Sequence, residues 1–127
     1  MDVMALRRHV MGQKWNYLAV KWKYYAFISG SGKMFDDTKD TSSYTENAML
    51  LKAGTYCIKG FNSYNGSNNI NYRIHEYNAN DVWSKQIASL AAPNNSAINF
   101  SFTINHDAYV RISMAIVYFT GTMTKTS

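Results

Sequence analysis

The chain has 127 residues with 46% hydrophobic residues, 17% charged residues and a formal net charge of +5. This length suits one domain, and the composition excludes a disordered chain and, with a single proline, a collagen-like one. No apolar run approaches the roughly 20 residues of a membrane-spanning helix, and the first residues lack a secretory signal. The sequence therefore predicts a soluble β-rich domain that is made in a cytoplasm, is not exported by a signal peptide and does not insert into membranes.

The positive charge is concentrated at the start of the sequence. Residues 1–33 hold six basic residues and one acid, whereas residues 34–127 hold seven of each sign. A nucleic-acid-binding domain usually spreads its excess charge over one folded face, so we expect a solvated or docking segment here and no nucleic-acid partner. The competing interpretation is single-stranded nucleic-acid binding by rings and ammonium groups at Trp15, Lys21, Trp22, Lys23 and Tyr24.

Three regions are predicted along the chain. Residues 1–14 form a helical lead or linker, because Val3, Leu6 and Val10 share one face of a helix over residues 2–11. Residues 15–120 form the folded domain, with residues 29–47 as a loop. Residues 121–127 form a polar tail that is expected to fray.

The domain reads as a series of short strands separated by turn residues. After a β-prone stretch from Trp15, strands are predicted at residues 48–51, 55–61, 70–77, 82–88, 98–104 and 108–119. The connections are too short for crossover helices, so the pattern favours an antiparallel β-sandwich or barrel. Alternation places Ile74, Phe102 and Ile112 in the core and their sequence neighbours outside.

Several of these strands resemble one family. Residues 50–58 (LLKAGTYCI) resemble the entry into a jelly-roll strand in C-terminal carbohydrate-binding-like modules of phage and prophage tail or baseplate proteins. Residues 72–77 (YRIHEY), 99–103 (NFSFT) and 108–112 (AYVRI) resemble later strands of those modules, and residues 4–8 (MALRR) resemble the short helix that precedes them. The resemblance covers about residues 48–117, and residues 20–25 have no counterpart in it.

The resemblance implies an antiparallel jelly-roll β-sandwich without enzymatic activity or a cofactor. It implies a tail-associated module that binds host-surface glycan, located in the virion or, as a prophage product, in the bacterial cytoplasm. Other tail or virion proteins are the further expected partners, together with self-association into a homo-oligomer such as a trimer. The alternative is a purely structural module that oligomerises or docks through the helix around Leu6 and the strand around Trp22.

A sugar site needs aromatic rings for C–H faces and planar polar groups for hydroxyls. The outward row on residues 70–77 would lie beside Lys59 or beside the outward side chains of residues 108–113. The predicted glycan patch consists of Tyr64, Arg73, His75, Tyr77, Trp83, Tyr109 and Arg111. An ordinary solvated sheet face is the competing interpretation of these residues.

Metal binding and catalysis find little support. The three histidines are scattered, and the only cysteine, Cys57, can form no disulfide within the chain. An acidic loop is the simpler interpretation of Asp36, Asp37 and Asp40 than a calcium site. No carboxylate pair for glycoside hydrolysis can be named, so we expect neither a metal nor a catalytic residue.

Overall fold

The computed structural model describes residues 14–15, 19–36, 42–67 and 70–127. Their regular structure is almost entirely β-strand, and every strand pairing is antiparallel, which confirms the predicted all-β class. The helix predicted over residues 2–11 lies outside the described residues. Within the described ranges, no helix has the length and apolar character needed to cross a membrane.

Twelve strands are described, together with a short 3-10 turn at Ile116–Tyr118. The strands are β1 (Lys14–Trp15), β2 (Trp22–Tyr24), β3 (Ala26–Ile28), β4 (Met34–Asp36), β5 (Ser43–Thr45), β6 (Met49–Leu51), β7 (Gly54–Asn62), β8 (Ile70–Tyr77), β9 (Trp83–Ala92), β10 (Ser96–Ile104), β11 (Ala108–Met114) and β12 (Phe119–Lys125). A four-stranded sheet has the order β1-β12-β7-β10. A six-stranded sheet has the order β2-β5-β11-β8-β9, with β6 also on β11, and β3 and β4 form a separate hairpin.

The two larger sheets share one hydrophobic core. Ile74 and Ile112 of the six-stranded sheet and Phe102 of the four-stranded sheet are buried in it, as the alternation predicted. The rings of Tyr72 and Phe119 meet edge to face across the two sheets, with centroids 6.1 Å apart. Burial of each such side chain contributes about 1.5–3 kcal/mol before conformational entropy is subtracted.

Strands β5 and β6 lie end to end along one side of β11. Ser113 and Met114 pair with β5, whereas the first residues of β11 pair with β6. Residues 46–48 interrupt the pairing between them, and the Thr45 side chain accepts the Ile112 N–H at 3.0 Å beside the gap. The interruption leaves backbone carbonyls that side chains can reach.

The β3–β4 hairpin forms a third layer on the outer face of the six-stranded sheet. Ala26 and Ile28 pack with Tyr44 in a small second core, and the Ile28 N–H donates to Oγ of Ser113 at 3.0 Å. The loop prediction for residues 29–47 is wrong where β4 and β5 form. Three-residue strands are too short to show a clear alternation.

The prediction of a polar tail at residues 121–127 is also wrong. Most of this segment belongs to β12, which lies between β1 and β7 inside the four-stranded sheet. Met123 is fully buried, and Gly121 lies directly opposite Gly60 of β7. A Cβ atom at Gly60 would lie 2.6 Å from the Gly121 Cα, so β7 and β12 need glycine at these two paired positions.

Candidate functional site

Most of the predicted glycan patch lies on one face of the six-stranded sheet. His75 of β8 lies opposite Arg111 of β11, and Tyr77 lies opposite both Tyr109 of β11 and Trp83 of β9. The outward row of β8 therefore lies beside β11, not beside Lys59, which belongs to the other sheet. Six of the seven patch residues share this face: Arg73, His75, Tyr77, Trp83, Tyr109 and Arg111.

The face is largely closed to solvent, contrary to the prediction of an open patch. His75, Tyr77 and Arg111 are buried, with exposed fractions of 0%, 4% and 6%. The β3–β4 hairpin covers part of this face, because Gly32 in the hairpin turn packs directly on the Trp83 ring and Gly30 lies near Arg73. Alternation correctly assigned the face, but it carries no information about what covers that face.

His75 is part of this covered layer. The indole N–H of Trp83 donates to His75 Nδ1 at 3.1 Å, so the neutral ring carries its proton on Nε2. Burial, reinforced by the positive charge of Arg73, lowers the pKa of His75 to about 4, and the Ile28 backbone offsets this only weakly. His75 is therefore a neutral structural group at physiological pH.

Arg111 is clamped from three sides. Nη1 and Nη2 donate to the two carboxylate oxygens of Asp81 at 2.7 and 3.1 Å, and Nε and Nη2 donate to the Glu46 carbonyl at 3.3 and 3.1 Å. The guanidinium lies over the Tyr77 ring, 4.4 Å from its centroid. Burial alone would lower the pKa of Arg111, but the Asp81 carboxylate more than offsets this and raises it. Arg111 thus stays charged and fixes the turn that holds Asp81.

An open cavity of about 230 Å³ remains beside this clamp. It lies where the β5–β6 interruption meets the β8–β9 turn, and its lining comprises Asn47, Ala48, Asn78, Ala79, Asp81, Tyr109 and Arg111. We call it the Tyr109 cavity, because Tyr109 supplies its aromatic ring and is 37% exposed. Of the predicted patch, only Tyr109 and Arg111 line it.

The sequence did not single out the polar residues of this cavity. Asn78 and Asp81 belong to the β8–β9 turn, in which Asn78 Oδ1 accepts the N–H groups of Asn80 and Val82. Asp81 has a positive φ of 63°, which brings its carboxylate back toward β11. The signal available in the sequence was the run Asn78-Ala79-Asn80-Asp81, which marks a turn but does not indicate which strand Asp81 approaches.

Tyr64 lies away from the other patch residues. The Asn95 N–H donates to its carbonyl, and Asn95 follows the end of β9 that pairs with Ile70, at the start of β8. Its ring packs edge to face on Tyr118, with centroids 5.2 Å apart. Tyr77 and the cavity lie seven residues further along β8, about 23 Å away.

The structure weakens two competing interpretations: single-stranded nucleic-acid binding and docking through the strand around Trp22. Trp22 is only 8% exposed and belongs to the core, so its ring offers little surface for a stacked base or for docking. Lys21 pairs with Glu46 at 2.9 Å.

Of the acidic loop considered as a calcium site, Asp36 is exposed at the end of β4, while Asp37 and Asp40 lie outside the described residues. Among the residues with described positions, no three His, Cys, Asp or Glu side chains group as metal ligands.

A second cavity, of about 220 Å³, opens between β9 and the end of β10. Its lining includes Glu76, whose Oε2 lies 2.8 Å from Nε2 of His106 in the β10–β11 turn. This contact ties the β10–β11 turn to β8. None of the predicted patch residues lines the second cavity.

Comparison of the chain with protein-family models, curated proteins and solved structures finds no match.

Proposed function

We propose that this chain is a non-enzymatic module of a phage or prophage tail that binds host-surface carbohydrate in the Tyr109 cavity. The observation that carries the proposal is the exposed ring of Tyr109. In the same cavity lie the side-chain amides of Asn47 and Asn78 and the Asp81 carboxylate, which Arg111 holds in place. The association with a tail is supported by the resemblance of residues 48–117 to phage tail modules. The proposed locations are the virion and, for a prophage product, the bacterial cytoplasm.

The proposed fold is a jelly-roll sandwich. From β7 onward the chain alternates between the sheets: β7 lies in the four-stranded sheet, β8 and β9 in the six-stranded one, and β10, β11 and β12 change sheet at each step. The last strand, β12, lies between β1 and β7, and β11 lies between β5 or β6 and β8. Strands that leave one sheet and return beside an early strand of the other are typical of paired Greek keys.

The chemistry of the cavity suits a sugar. The Tyr109 ring offers an apolar surface for the C–H face of a pyranose, and Asn47 and Asn78 offer amides for its hydroxyl groups. The turn occupies Asn78 Oδ1, so the NH₂ group of that side chain is the part a ligand would use. The Asp81 carboxylate is 61% exposed although Arg111 binds it, so it can accept further hydrogen bonds from ligand hydroxyls.

Binding without hydrolysis is the form of activity that fits these groups. Glycoside hydrolysis generally uses two carboxyl groups on opposite sides of the scissile bond. Among the residues that line the Tyr109 cavity, Asp81 is the only acid, and Arg111 binds both of its oxygens. The cavity lining therefore lacks the second carboxyl group that this chemistry needs.

Glycan-array binding and pull-down with isolated bacterial cell-wall polysaccharide test the proposal. We expect the wild-type protein to bind a subset of these glycans, and Tyr109→Ala to weaken that binding at least tenfold. The matched control is Tyr24→Ala, because Tyr24 is 47% exposed on β2 and does not line the cavity. Thermal melting of each variant verifies that it is folded.

Two results contradict the proposal. One is a wild-type protein that binds no glycan on the array and no cell-wall polysaccharide. The other is a folded Tyr109→Ala variant that binds as tightly as the wild type.

The structural alternative, a module that only assembles with other copies or with tail proteins, is favoured by a different surface. The outer face of the four-stranded sheet carries no covering layer in the described chain, unlike the face beneath the hairpin. Docking through Trp22 is not supported, because that ring is in the core. The docking helix around Leu6 lies outside the described residues.

A further inference from the structure

The Tyr109 cavity presents a negative group to a ligand, although it is built around an ion pair. Of the residues that line the cavity, only Asp81 and Arg111 are charged. The Asp81 side chain is 61% exposed, whereas that of Arg111 is 7% exposed. A ligand in the cavity can therefore reach the carboxylate far more readily than the buried guanidinium.

The Arg111 guanidinium has little capacity left to bind an anion. Of its five N–H groups, two donate to the Asp81 carboxylate and two to the Glu46 carbonyl, so at most one remains for a ligand. The Glu46 carboxylate, next in sequence to Asn47 of the lining, is paired with Lys21 at 2.9 Å. An acidic ligand would thus gain little from Arg111 and would lie against the carboxylate of Asp81.

The hydrogen-bonding groups that remain in the cavity suit hydroxyl groups. Asn78 Oδ1 already accepts two N–H groups of its own turn, so the NH₂ group of that side chain is left to donate. A carboxylate only accepts, so a ligand group that faces Asp81 must supply the proton. A sugar hydroxyl can donate to Asp81 and accept from Asn78. An ionised sugar carboxylate can only accept, and it adds like-charge repulsion beside Asp81.

The size of the cavity limits the ligand as well. Its volume of about 230 Å³ lies below the roughly 300–1,000 Å³ of pockets that enclose drug-sized molecules. Tyr109 contributes the only aromatic ring of the lining. The cavity is therefore matched to a single sugar ring, with the rest of a glycan outside it.

We propose that the Tyr109 cavity selects its sugar by charge: it takes one uncharged pyranose unit and, through Asp81, excludes uronic acids and other acidic sugars. This inference rests on the proposed carbohydrate-binding function and names the class of sugar for the same site. Asp81 is then the residue that determines specificity, because its exposed carboxylate both requires a donor and repels an anion. Two unit charges in contact near a protein surface interact strongly enough to change binding about tenfold or more.

Matched sugars that differ in charge test the inference. A glycan array displays three terminal units, namely the neutral hexose, its uronic acid and the uncharged uronamide, in each of the glucose, galactose and mannose series. In each series that the wild-type protein binds, we expect the hexose and the uronamide to bind and the uronic acid to bind at least tenfold more weakly than the uronamide. The uronamide has nearly the shape of the acid without its charge, so it separates repulsion from size.

Two substitutions change the charge of the cavity in different ways. Asp81→Asn removes the carboxylate and should bring the uronic acid to within about threefold of the uronamide. Because this change also leaves Arg111 without its counter-ion, Ala79→Lys provides a second variant that keeps the clamp. Ala79 is an exposed residue of the lining, and the added ammonium group should raise uronic-acid binding at least tenfold. The matched control, Asp107→Asn, removes an exposed carboxylate outside the lining and should keep the wild-type ratio.

Salt gives a test that needs no substitution. Between about 0.01 M and about 1 M salt, the screening length falls from about 30 Å to about 3 Å. The difference between uronic acid and uronamide should therefore shrink several-fold, while binding of the uronamide should barely change. A difference that persists unchanged at high salt would arise from shape and would contradict selection by charge.

Three further results overturn the inference alone. These are a uronic acid that binds as tightly as its uronamide, a ratio of the two that neither Asp81→Asn nor Ala79→Lys changes, and a protein that binds other glycans but none of the matched sets. A wild-type protein that binds no glycan overturns the inference together with the proposed function, so the two failures are distinguishable.

Discussion

The indole N–H of Trp83 donates to Nδ1 of His75, 3.1 Å away, beneath the β3–β4 hairpin. An indole nitrogen can only donate, so this bond exists only while Nδ1 carries no proton. Protonation of the ring would break the bond and place a second positive charge near Arg73 in a site closed to water. The packed hairpin therefore accommodates a neutral His75, whereas a charged His75 would destabilise the folded chain.

This arrangement predicts a loss of stability in acid. The pKa of His75 is about 4 in the folded chain and near the ordinary value of 6.5 in the unfolded chain, so the unfolded chain binds the extra proton first. The contribution of His75 to the free energy of unfolding should decrease by about 3 kcal/mol as the pH falls from 6.5 to 4, and this contribution should level off below pH 4. Urea denaturation of wild type and His75→Gln at matched pH values isolates this contribution, because other groups cancel in the difference. A difference that does not vary with pH would contradict the prediction.

Alanine substitutions at two glycines of the hairpin turn should affect stability differently. Gly32 has a φ of +85°, and a Cβ there would lie 2.3 Å from the Trp83 ring. Gly32→Ala should therefore destabilise the protein by about 1–3 kcal/mol and increase the solvent exposure of Trp83. Gly30→Ala is the control, since the nearest atom to its added Cβ would be 3.6 Å away. Urea melts followed by tryptophan fluorescence measure both, and equal effects would contradict the packing of Gly32 on Trp83.

Asp81→Asn tests the clamp on Arg111. Asparagine tolerates the left-handed backbone of this position, so the substitution removes the charge and keeps the turn. The buried guanidinium then loses its counter-ion, and we expect a loss of about 1–2 kcal/mol, since the Asp81 side chain is itself largely exposed. Asp107→Asn, which breaks the exposed pair with Lys52, serves as the control and should cost less in the same chemical denaturation assay.

Two buried tyrosines form a matched pair. The Tyr56 hydroxyl donates to the Lys52 carbonyl at 2.7 Å, whereas the Tyr72 hydroxyl is buried with no hydrogen-bond partner among the described residues. Tyr56→Phe should cost about 1 kcal/mol, and Tyr72→Phe should be neutral or stabilising by up to about 1 kcal/mol. Thermal and urea melts distinguish them, and a large loss for Tyr72→Phe would reveal a partner for its hydroxyl.

The long strands were the part of the fold that the sequence predicted best. The predicted bounds of β8 coincide with the observed Ile70–Tyr77, and the inward assignments of Ile74, Phe102 and Ile112 are confirmed. Eight or nine residues give alternation enough repeats to identify both the strand and its core face. Within β4 and β5, three residues each gave no such repeat, and the turn-forming residues around them favoured a loop.

The candidate site was predicted less well, for a related reason. Placing Arg73, His75 and Tyr77 beside Tyr109 and Arg111 needed only the register of β8 and β11. The burial of His75 and Arg111 depends on segments that are distant in sequence: the hairpin that packs on Trp83, and the Asp81 and Glu46 groups that contact Arg111. The cavity residues Asn47 and Asp81 become neighbours of Tyr109 only through the β5–β6 interruption and a left-handed turn, neither of which is visible in hydrophobic periodicity.

The position of β12 between β1 and β7 determines how the chain can fold. Ile58 pairs with Phe100 on one side and with Met123 on the other, so the centre of its sheet is assembled from residues more than 40 and 60 positions away. Such non-local pairing costs loop-closure entropy before the stabilising contacts form. All-β chains of this kind therefore fold roughly in milliseconds to seconds. A polypeptide still lacking residues 119–125 would leave β1 without a neighbour in that sheet and one edge of β7 unpaired, so the four-stranded sheet can close only once those residues are present.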